Sequence, residues 1–597
     1  MLKTYSDVWD LDVFFSGGSQ SSQFRAHINE LKNKKRRFAE NEVAFVSPQS
    51  DTDGDLVARL IEEAKEIMLY LRQAGAFIGC LQAQDMNDRD ADRLQNELTT
   101  ISAEFQTTFN AFQQKLAQTS EEVWELLLQH STLSELSFVL NEWRKKAKDK
   151  LSNQEEAIIQ TLSIDGYHGW GQMYDTIVGT MEIPFTENGE KKKLSIGQAN
   201  NLTSHQDEKV RKEIHDQLEN AWEEKEELFA KTLNHLGGYR LNVYKARGWE
   251  EVLKEPLEYN RMKQETLDAM WGAISKHKQP FVHYLDRKAK MLGKEKMDWF
   301  NLDAPVAEST NKMNYDEGAH FILKHFKRFG PEMAKFAEKA FEDSWIEAED
   351  RPGKRPGGFC TSFPLSQQSR IFMTYSGSMS NVATLAHELG HAFHSYALKP
   401  MDTLNRNYAM NVAETASTFA EMIVADAAVK EATSKEEKIA LVEDKLQRSV
   451  AFFMNIHARF LFETRFYEER KEGTVSSTRL NELMEEAQRE AFAGALDEVH
   501  PHFWASKLHF YITGVPFYNF PYTFGYLFSL SIYAKALESN ENYEEKYMAL
   551  LRDTAVMNVE ELAMKHLGED ITKEAFWEKG IQLCIQDVEE FLELTGE

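Results

Sequence analysis

Cysteine is nearly missing from this chain: Cys80, Cys360 and Cys584 are the only three in 597 residues, far apart and odd in number. Such a set builds neither a disulfide framework nor a paired thiolate site, and it fits a reducing compartment. Proline is scarce too, with 13 in all and none between Pro48 and Pro184, so long stretches run without the residue that most strongly breaks a helix. No run of about 18 apolar residues occurs that could span a bilayer. The start, Met1-Leu2-Lys3-Thr4-Tyr5-Ser6-Asp7, lacks the charge and apolar stretch of a secretory signal. The expectation is a cytoplasmic protein with no membrane partner, in which Asn201-Leu202-Thr203 has no meaning as a glycosylation site. Positive charge is also short. Against 96 Asp and Glu stand 69 Lys and Arg, a net charge of −27 whose field repels phosphate backbones, so nucleic acid is not expected as a partner. The one dense basic run, Lys32 to Arg37 around Asn33, lies in a helical pattern and reads as a solvated helix face.

What is present is apolar periodicity. A hydrophobic content of 42%, with 12% aromatics, is ample for buried cores in a folded protein. From about Ser21 to Asp165 apolar residues recur three and four apart, as in Leu56-Leu60-Ile61-Ala64-Ile67-Met68-Leu71, which predicts a bundle of long amphipathic helices. Around Ile183 to Ile196 the pattern becomes that of a hairpin turning at Asn188-Gly189. A lobe boundary is placed just after it, giving a helical N-terminal lobe over 1–195 and a catalytic domain over 196–597. Helical periodicity resumes near Glu208 and runs to about Glu347, where Arg351-Pro352-Gly353-Lys354-Arg355-Pro356-Gly357-Gly358 breaks it. Arg370 to Tyr375 has strand character, and Ser376-Gly377-Ser378 leads into a helix capped near Ser380 or Asn381. The chain closes on an acidic helix ending at Glu597.

The helix after Ser378 carries His387-Glu388-Leu389-Gly390-His391. Residues four apart on a helix lie about 40° apart around the axis, so His387 and His391 can converge on one ion with Glu388 beside it. Zinc favours neutral imidazoles and makes water a stronger acid, and an adjacent carboxylate can take the proton. A chance match on a solvated helix is the competing reading. The small and apolar flanks, Val382 to Ala386 and Ala392-Phe393, weigh against it, because unpaired imidazoles are unfavourable in a buried helix. A catalytic zinc needs a third protein ligand. His394 stands about 10 Å along the axis from His387, too far to join it on one ion, and reads as a cleft-wall or core histidine. Glu414 is preferred. It lies in a second helix, Asn411 to Glu421, with small residues around its acidic positions, and Ala383, Ala386 and Gly390 make one face of the motif helix small as well, so the two backbones can approach closely. Glu421, seven positions on, could hold the second nitrogen of a ligand histidine or be a plain helix charge.

At these residues the chain resembles the thimet oligopeptidase family of zinc peptidases, and within it the oligoendopeptidase F branch. Gly353 to Phe359, Phe372-Met373-Thr374-Tyr375-Ser376-Gly377, the His-Glu-x-Gly-His-x-x-His pattern and Ala413-Glu414-Thr415-Ala416-Ser417 fall in the family's order, and the likeness is strongest from about Lys245 onward. The resemblance implies a mainly α, two-lobed fold around a deep cleft with a few short strands beside one zinc ion. It also implies access for short peptides alone, Glu414 as third ligand, and substrate held by pairing with a strand edge. The Gly357-Gly358 region and the Arg370 to Tyr375 strand are candidates for that edge.

A second constellation follows His509, in the loop-forming stretch to Pro521 and the residues beyond. His509, Tyr518, Tyr522 and Tyr526 are its candidate donors to a developing oxyanion, with His509 and Tyr518 first, although the stretch is longer than in the thimet oligopeptidase pattern. The expected function is zinc-dependent endopeptidase action on oligopeptides with Glu388 as general base. A carboxypeptidase of similar shape is the alternative, and it requires a cationic anchor, for which Arg370 and Lys354 are the candidates. A scaffolding protein with a vestigial zinc is a third. Oligomeric state leaves no signal in the sequence.

Overall fold

The computed structural model describes every residue except 1, 2, 188, 308–311, 540, 541 and 597. Three long helices, Ser22–Ala44, Gly54–Gln84 and Arg89–Ala117, begin the chain. In the second, Val57, Leu60, Ile61, Ala64 and Ile67 are buried at the spacing of one helix face. Side-chain caps fix the starts: Ser21 Oγ accepts from Phe24 N at 3.2 Å, and Asp88 accepts from Asp90 N and Ala91 N. The basic run is laced to the neighbouring helices through Lys32–Glu97, Lys34–Glu66 and Lys35–Glu104, exposed pairs worth about 0–1 kcal/mol each. It is therefore a solvated face.

Two apolar cores organise the chain. The smaller runs from Trp9 to Leu140 and takes in Phe363, Phe372 and Leu404; the larger runs from Tyr167 to Phe591. The hairpin, Ile183–Glu187 paired antiparallel with Glu190–Leu194, contributes Ile183 and Phe185 to the larger core. Apolar packing thus changes partner between Leu140 and Tyr167, ahead of the boundary placed after the hairpin. Gly189 has φ +84°, the left-handed conformation such a turn needs, and Asn188 lies outside the described residues. A 39-residue helix, Glu208–Ala246, follows, and the last helix, Glu574–Thr595, ends at the left-handed Gly596, short of Glu597, which lies outside the described residues.

A three-stranded sheet lies where the two cores meet. Gln368–Phe372 is its central strand, parallel to Ile346–Glu347 and antiparallel to Phe359–Phe363. The expectation that the Arg370 to Tyr375 strand offers a free edge is therefore corrected: this strand ends at Phe372 and is bonded on both sides, and the open edge belongs to Phe359–Phe363, next to Gly357-Gly358. The segment ahead of the N-terminal bundle braces the sheet through Phe14, stacked on Phe363 at 3.8 Å, and Trp9, 5.7 Å from Phe372.

The motif helix spans Met379–Ala397. Its cap is Ser378, two or three residues earlier than expected, because Asn381 is the third helical residue and reaches back: Ser378 Oγ accepts from Asn381 N, while Asn381 Oδ1 accepts from Ser376 N and Ser378 N. The Glu414–Glu431 helix packs on it with backbones in contact. A Cβ at Gly390 would stand 2.4 Å from Ala416 O and 2.6 Å from Ser417 Cα, distances that only displacement of backbone could relieve. Gly525, on the Phe520–Glu538 helix, presses in the same way against Asn411 O and the Glu414 side chain. Gly390→Ala should accordingly lower stability by about 1–3 kcal/mol, despite alanine's better helix propensity, and weaken metal retention. Thermal melting and metal content check this; an unchanged melting temperature with full metal would mean that the helices do not meet at Gly390.

Candidate active site

Helix spacing puts His387 and His391 on one face, their rings 4.9 Å apart between centroids. The close approach at Gly390 then delivers Glu414, the first residue of its own helix, to that face. Its Oε2 lies 3.3 Å from His387 Nε2 and 3.7 Å from His391 Nε2, and one donor atom from each of the three residues falls within 4.8 Å of every other. Two imidazoles and one carboxylate with an open side match the ligand set of a catalytic zinc, so the residues present fit such an ion.

The surroundings set the charge of each group. Burial alone would raise the Glu414 pKa, but hydrogen bonding with His387, the charges of His391 and His387, and a bond from Ser417 Oγ at 2.7 Å bring it down to about 2. Burial pushes His391 down to about 4 and keeps the ring neutral, the form that ligates metal. His387 Nδ1 lies 2.9 Å from Glu421 Oε2, a contact that orients the ring with its Nε2 on the Glu414 side, and Glu421 is itself paired with Arg448. Of the two readings open for Glu421, the geometry selects the holder of the ligand ring. Arg448 carried no signal in the sequence, since it comes from a different helix, Lys435–Val450.

Glu388 points to the same side. It is buried, its Oε2 has no hydrogen-bond partner among the described residues, and burial raises its pKa to about 7. A Cβ on Gly358, beside the open strand edge, would lie 3.4 Å from Glu388 Oε1, so the edge and this carboxylate face one space. His394 lies in the core, its Nε2 2.9 Å from Thr554 Oγ1 and its ring stacked on Tyr408 at 4.2 Å.

Three of the four oxyanion candidates come together. The His509 ring is 5.5 Å from that of Tyr518 and 6.3 Å from that of Tyr522, while the two tyrosines are 5.7 Å apart. Burial, helped by the charges of Arg459 and Lys507, pushes His509 down to about 4, and burial with a Tyr518 hydrogen bond raises Tyr522. The charge of Glu414 also acts on Tyr522, so this group neighbours the candidate metal ligands. Tyr526 does not join it. Its hydroxyl is in the core, 3.2 Å from Ser449 Oγ, with the ring stacked on Phe452. Both candidate anchors for a substrate carboxylate are likewise committed elsewhere: Arg370 donates to the Asp10 and Ser369 carbonyls, and Lys354 to the Glu349 and Met373 carbonyls beside Glu347.

A family model described as peptidase family M3 matches residues 201–583, well over half of the sequence and including every residue of this site. The chain belongs to that family. A second model, described as oligopeptidase F, matches residues 115–183 of this M3 peptidase. The plasmid-encoded oligoendopeptidase F of Lactococcus lactis subsp. cremoris is 23% identical over 566 residues, covering 91% of this chain and 90% of its own. Oligopeptidase PepF of Bacillus subtilis strain 168 is 22% identical over 488 residues, covering 79% and 71%. The crystal structure of oligoendopeptidase-F from Enterococcus faecium superposes with a TM-score of 0.70 at 19% identity, over 96% of this chain and 98% of that one, which shows the mainly α fold. Family membership makes this chain a metalloendopeptidase. No helix among its described residues is long and apolar enough to cross a membrane.

Removing the carboxylate that steers His387, as in Glu421→Ala, should weaken metal affinity about 10–100-fold, and Glu414→Ala should weaken it further. Chelator competition read by metal analysis checks both. Wild-type affinity in Glu414→Ala would exclude Glu414 as a ligand.

Proposed function

We propose that this M3 peptidase is a zinc-dependent endopeptidase of short oligopeptides, working through a water molecule with Glu388 as general base. The observation that carries the reading is the buried, unpartnered Glu388 carboxylate set between the two histidines of a three-ligand group. His387, His391 and Glu414 would hold the zinc ion, which when bound supplies Lewis acidity to water and to a carbonyl oxygen. With a pKa near neutrality, Glu388 can both take a proton from water and give it to the leaving amine, and no covalent intermediate is needed. Neutral His509 and the hydroxyls of Tyr518 and Tyr522 would donate to the oxyanion as the carbonyl becomes tetrahedral. Pairing with the open edge of Phe359–Phe363 would hold the peptide extended past Glu388. Oligopeptides as the substrate class are supported by the names of the relatives, oligoendopeptidase F and oligopeptidase PepF. Action in the cytoplasm is part of the same proposal.

Glu388→Gln should keep the metal and lose at least about a hundredfold in turnover of a quenched fluorogenic peptide, the lower end of what a positioned acid–base group contributes. Near-normal turnover in that variant would reject Glu388 as the base. Tyr522→Phe should lower kcat about 10²–10³-fold with little change in KM if its hydroxyl meets the oxyanion; a change confined to KM would remove it from that role.

A further inference from the structure

Lys507 and Arg459 are two cations that the reaction above leaves unused. Both sit over the ring of Phe503, Lys507 Nζ at 4.9 Å from its centroid and Arg459 Cζ at 5.2 Å. The guanidinium is held by neutral acceptors, Asn455 Oδ1 at 2.8 Å and Asn519 Oδ1 at 3.1 Å, and among the described residues neither cation forms an ion pair. That is unusual in a chain with 27 more acidic than basic residues. Two buried lysines elsewhere are paired, Lys288 with Glu443 at 2.6 Å and Lys445 with Asp426 at 2.7 Å, whereas Lys278 contacts His457 Nδ1 at 2.8 Å and no carboxylate. Crowding two positive charges without a counter-ion is unfavourable, and burial together with Arg459 depresses the Lys507 pKa to about 8. An arriving anion would relieve this cost.

There is space for one. Lys507 lines a cavity of about 180 Å³ with Phe503, Asn455, Ser506 and Trp299. Pockets for drug-sized ligands start at about 300 Å³, so this one suits a single terminal or side-chain group. Asp303 is the acidic residue on its wall; it attracts Lys507 through space without pairing with it. The two cations, of which Lys507 alone lines the cavity, are tied to the candidate oxyanion group: Lys507 precedes His509 by two residues, and the charges of Lys507 and Arg459 both act on the His509 ring. Arg459 also acts on Tyr522.

From this arrangement we infer that Lys507 and Arg459 form a carboxylate-binding subsite, which fixes the peptide by its free C-terminus or by an acidic side chain a short distance from the bond that is cut. The subsite rests on the peptidase reading and deepens it: it gives the enzyme a charge preference in its substrates and a measuring point for where it cuts. A carboxylate bridging ammonium and guanidinium gains charge-assisted hydrogen bonds on both oxygens.

The test uses the full-length enzyme with zinc and three matched peptide sets: free C-terminal acids, their C-terminal amides, and doubly blocked peptides in which one Gln is exchanged for Glu at successive positions. A hydrogen bond to a charged group contributes about 1.5–3 kcal/mol, so kcat/KM should differ by roughly tenfold or more, chiefly through KM, between one acid and its uncharged partner. Preference for free acid over amide assigns the C-terminus, and preference for Glu over Gln at one position assigns the side chain. Either ratio should fall to about one in Lys507→Gln and in Arg459→Gln, and Lys507→Arg should restore part of it. Short N-acetylated dipeptide acids and amides, tested as inhibitors of the unaltered enzyme, give the same comparison without a variant that must fold. Equal rates across all three sets in an active enzyme overturn the subsite, as does a charge preference that survives both substitutions. If no peptide is cleaved at all, the peptidase reading fails, and the subsite with it.

Discussion

Everything at the proposed metal centre depends on one contact, the backbone-to-backbone approach of the motif helix and the Glu414–Glu431 helix at Gly390. His387 and His391 need only the pitch of their own helix to stand together. Glu414 comes from another helix, and its carboxylate reaches them because Gly390 has no Cβ to hold Ala416 and Ser417 away. Gly525 extends the same logic to a third helix, packing against the Glu414 side chain from the other side. Three helices are thus locked at the distance the ligands require, and the ligand geometry becomes a property of the packed core, where small shifts are costly.

Electrostatics completes what packing begins. The same burial depresses His391 and raises Glu388, leaving a neutral imidazole for the metal and a carboxyl poised near neutrality for proton transfer. Glu414 escapes that effect through its hydrogen bonds and remains an anion. A short relay from Arg448 through Glu421 to His387 fixes which ring nitrogen faces inward. Neighbouring groups of one buried site therefore hold different protonation states, which is what the proposed general-base hydrolysis asks of them.

How far the sequence reveals this follows from physics. The helical bundle, the motif helix and the proximity of Glu414 were all legible, because helix periodicity and small-residue faces are local patterns with direct spatial meaning. Boundaries were less so: Ser378 caps the helix while Ser380 and Asn381 had the same chemistry to offer, and the choice is made by Asn381 reaching back to its preceding backbone. Strand order was not legible, since nothing in Gln368–Phe372 says that a two-residue strand covers its other side. Tyr522 and Tyr526 could not be separated, because the Phe520–Glu538 helix is apolar on nearly every side and offers no period by which to tell cleft from core. Lys507 and Arg459 come from segments far apart in sequence, and only folding places them over one ring.

Zinc-edge X-ray absorption and anomalous diffraction on the purified enzyme would show whether a glycine-permitted helix contact assembles a three-ligand zinc site. One zinc ion per chain is expected, bound by nitrogen from His387 and His391 at about 2.0–2.1 Å and by oxygen from Glu414 at about 2.0–2.2 Å. Zinc held by other residues, or a protein that takes up no zinc while folded and supplied with it, would mean that the contact at Gly390 does not build a zinc centre.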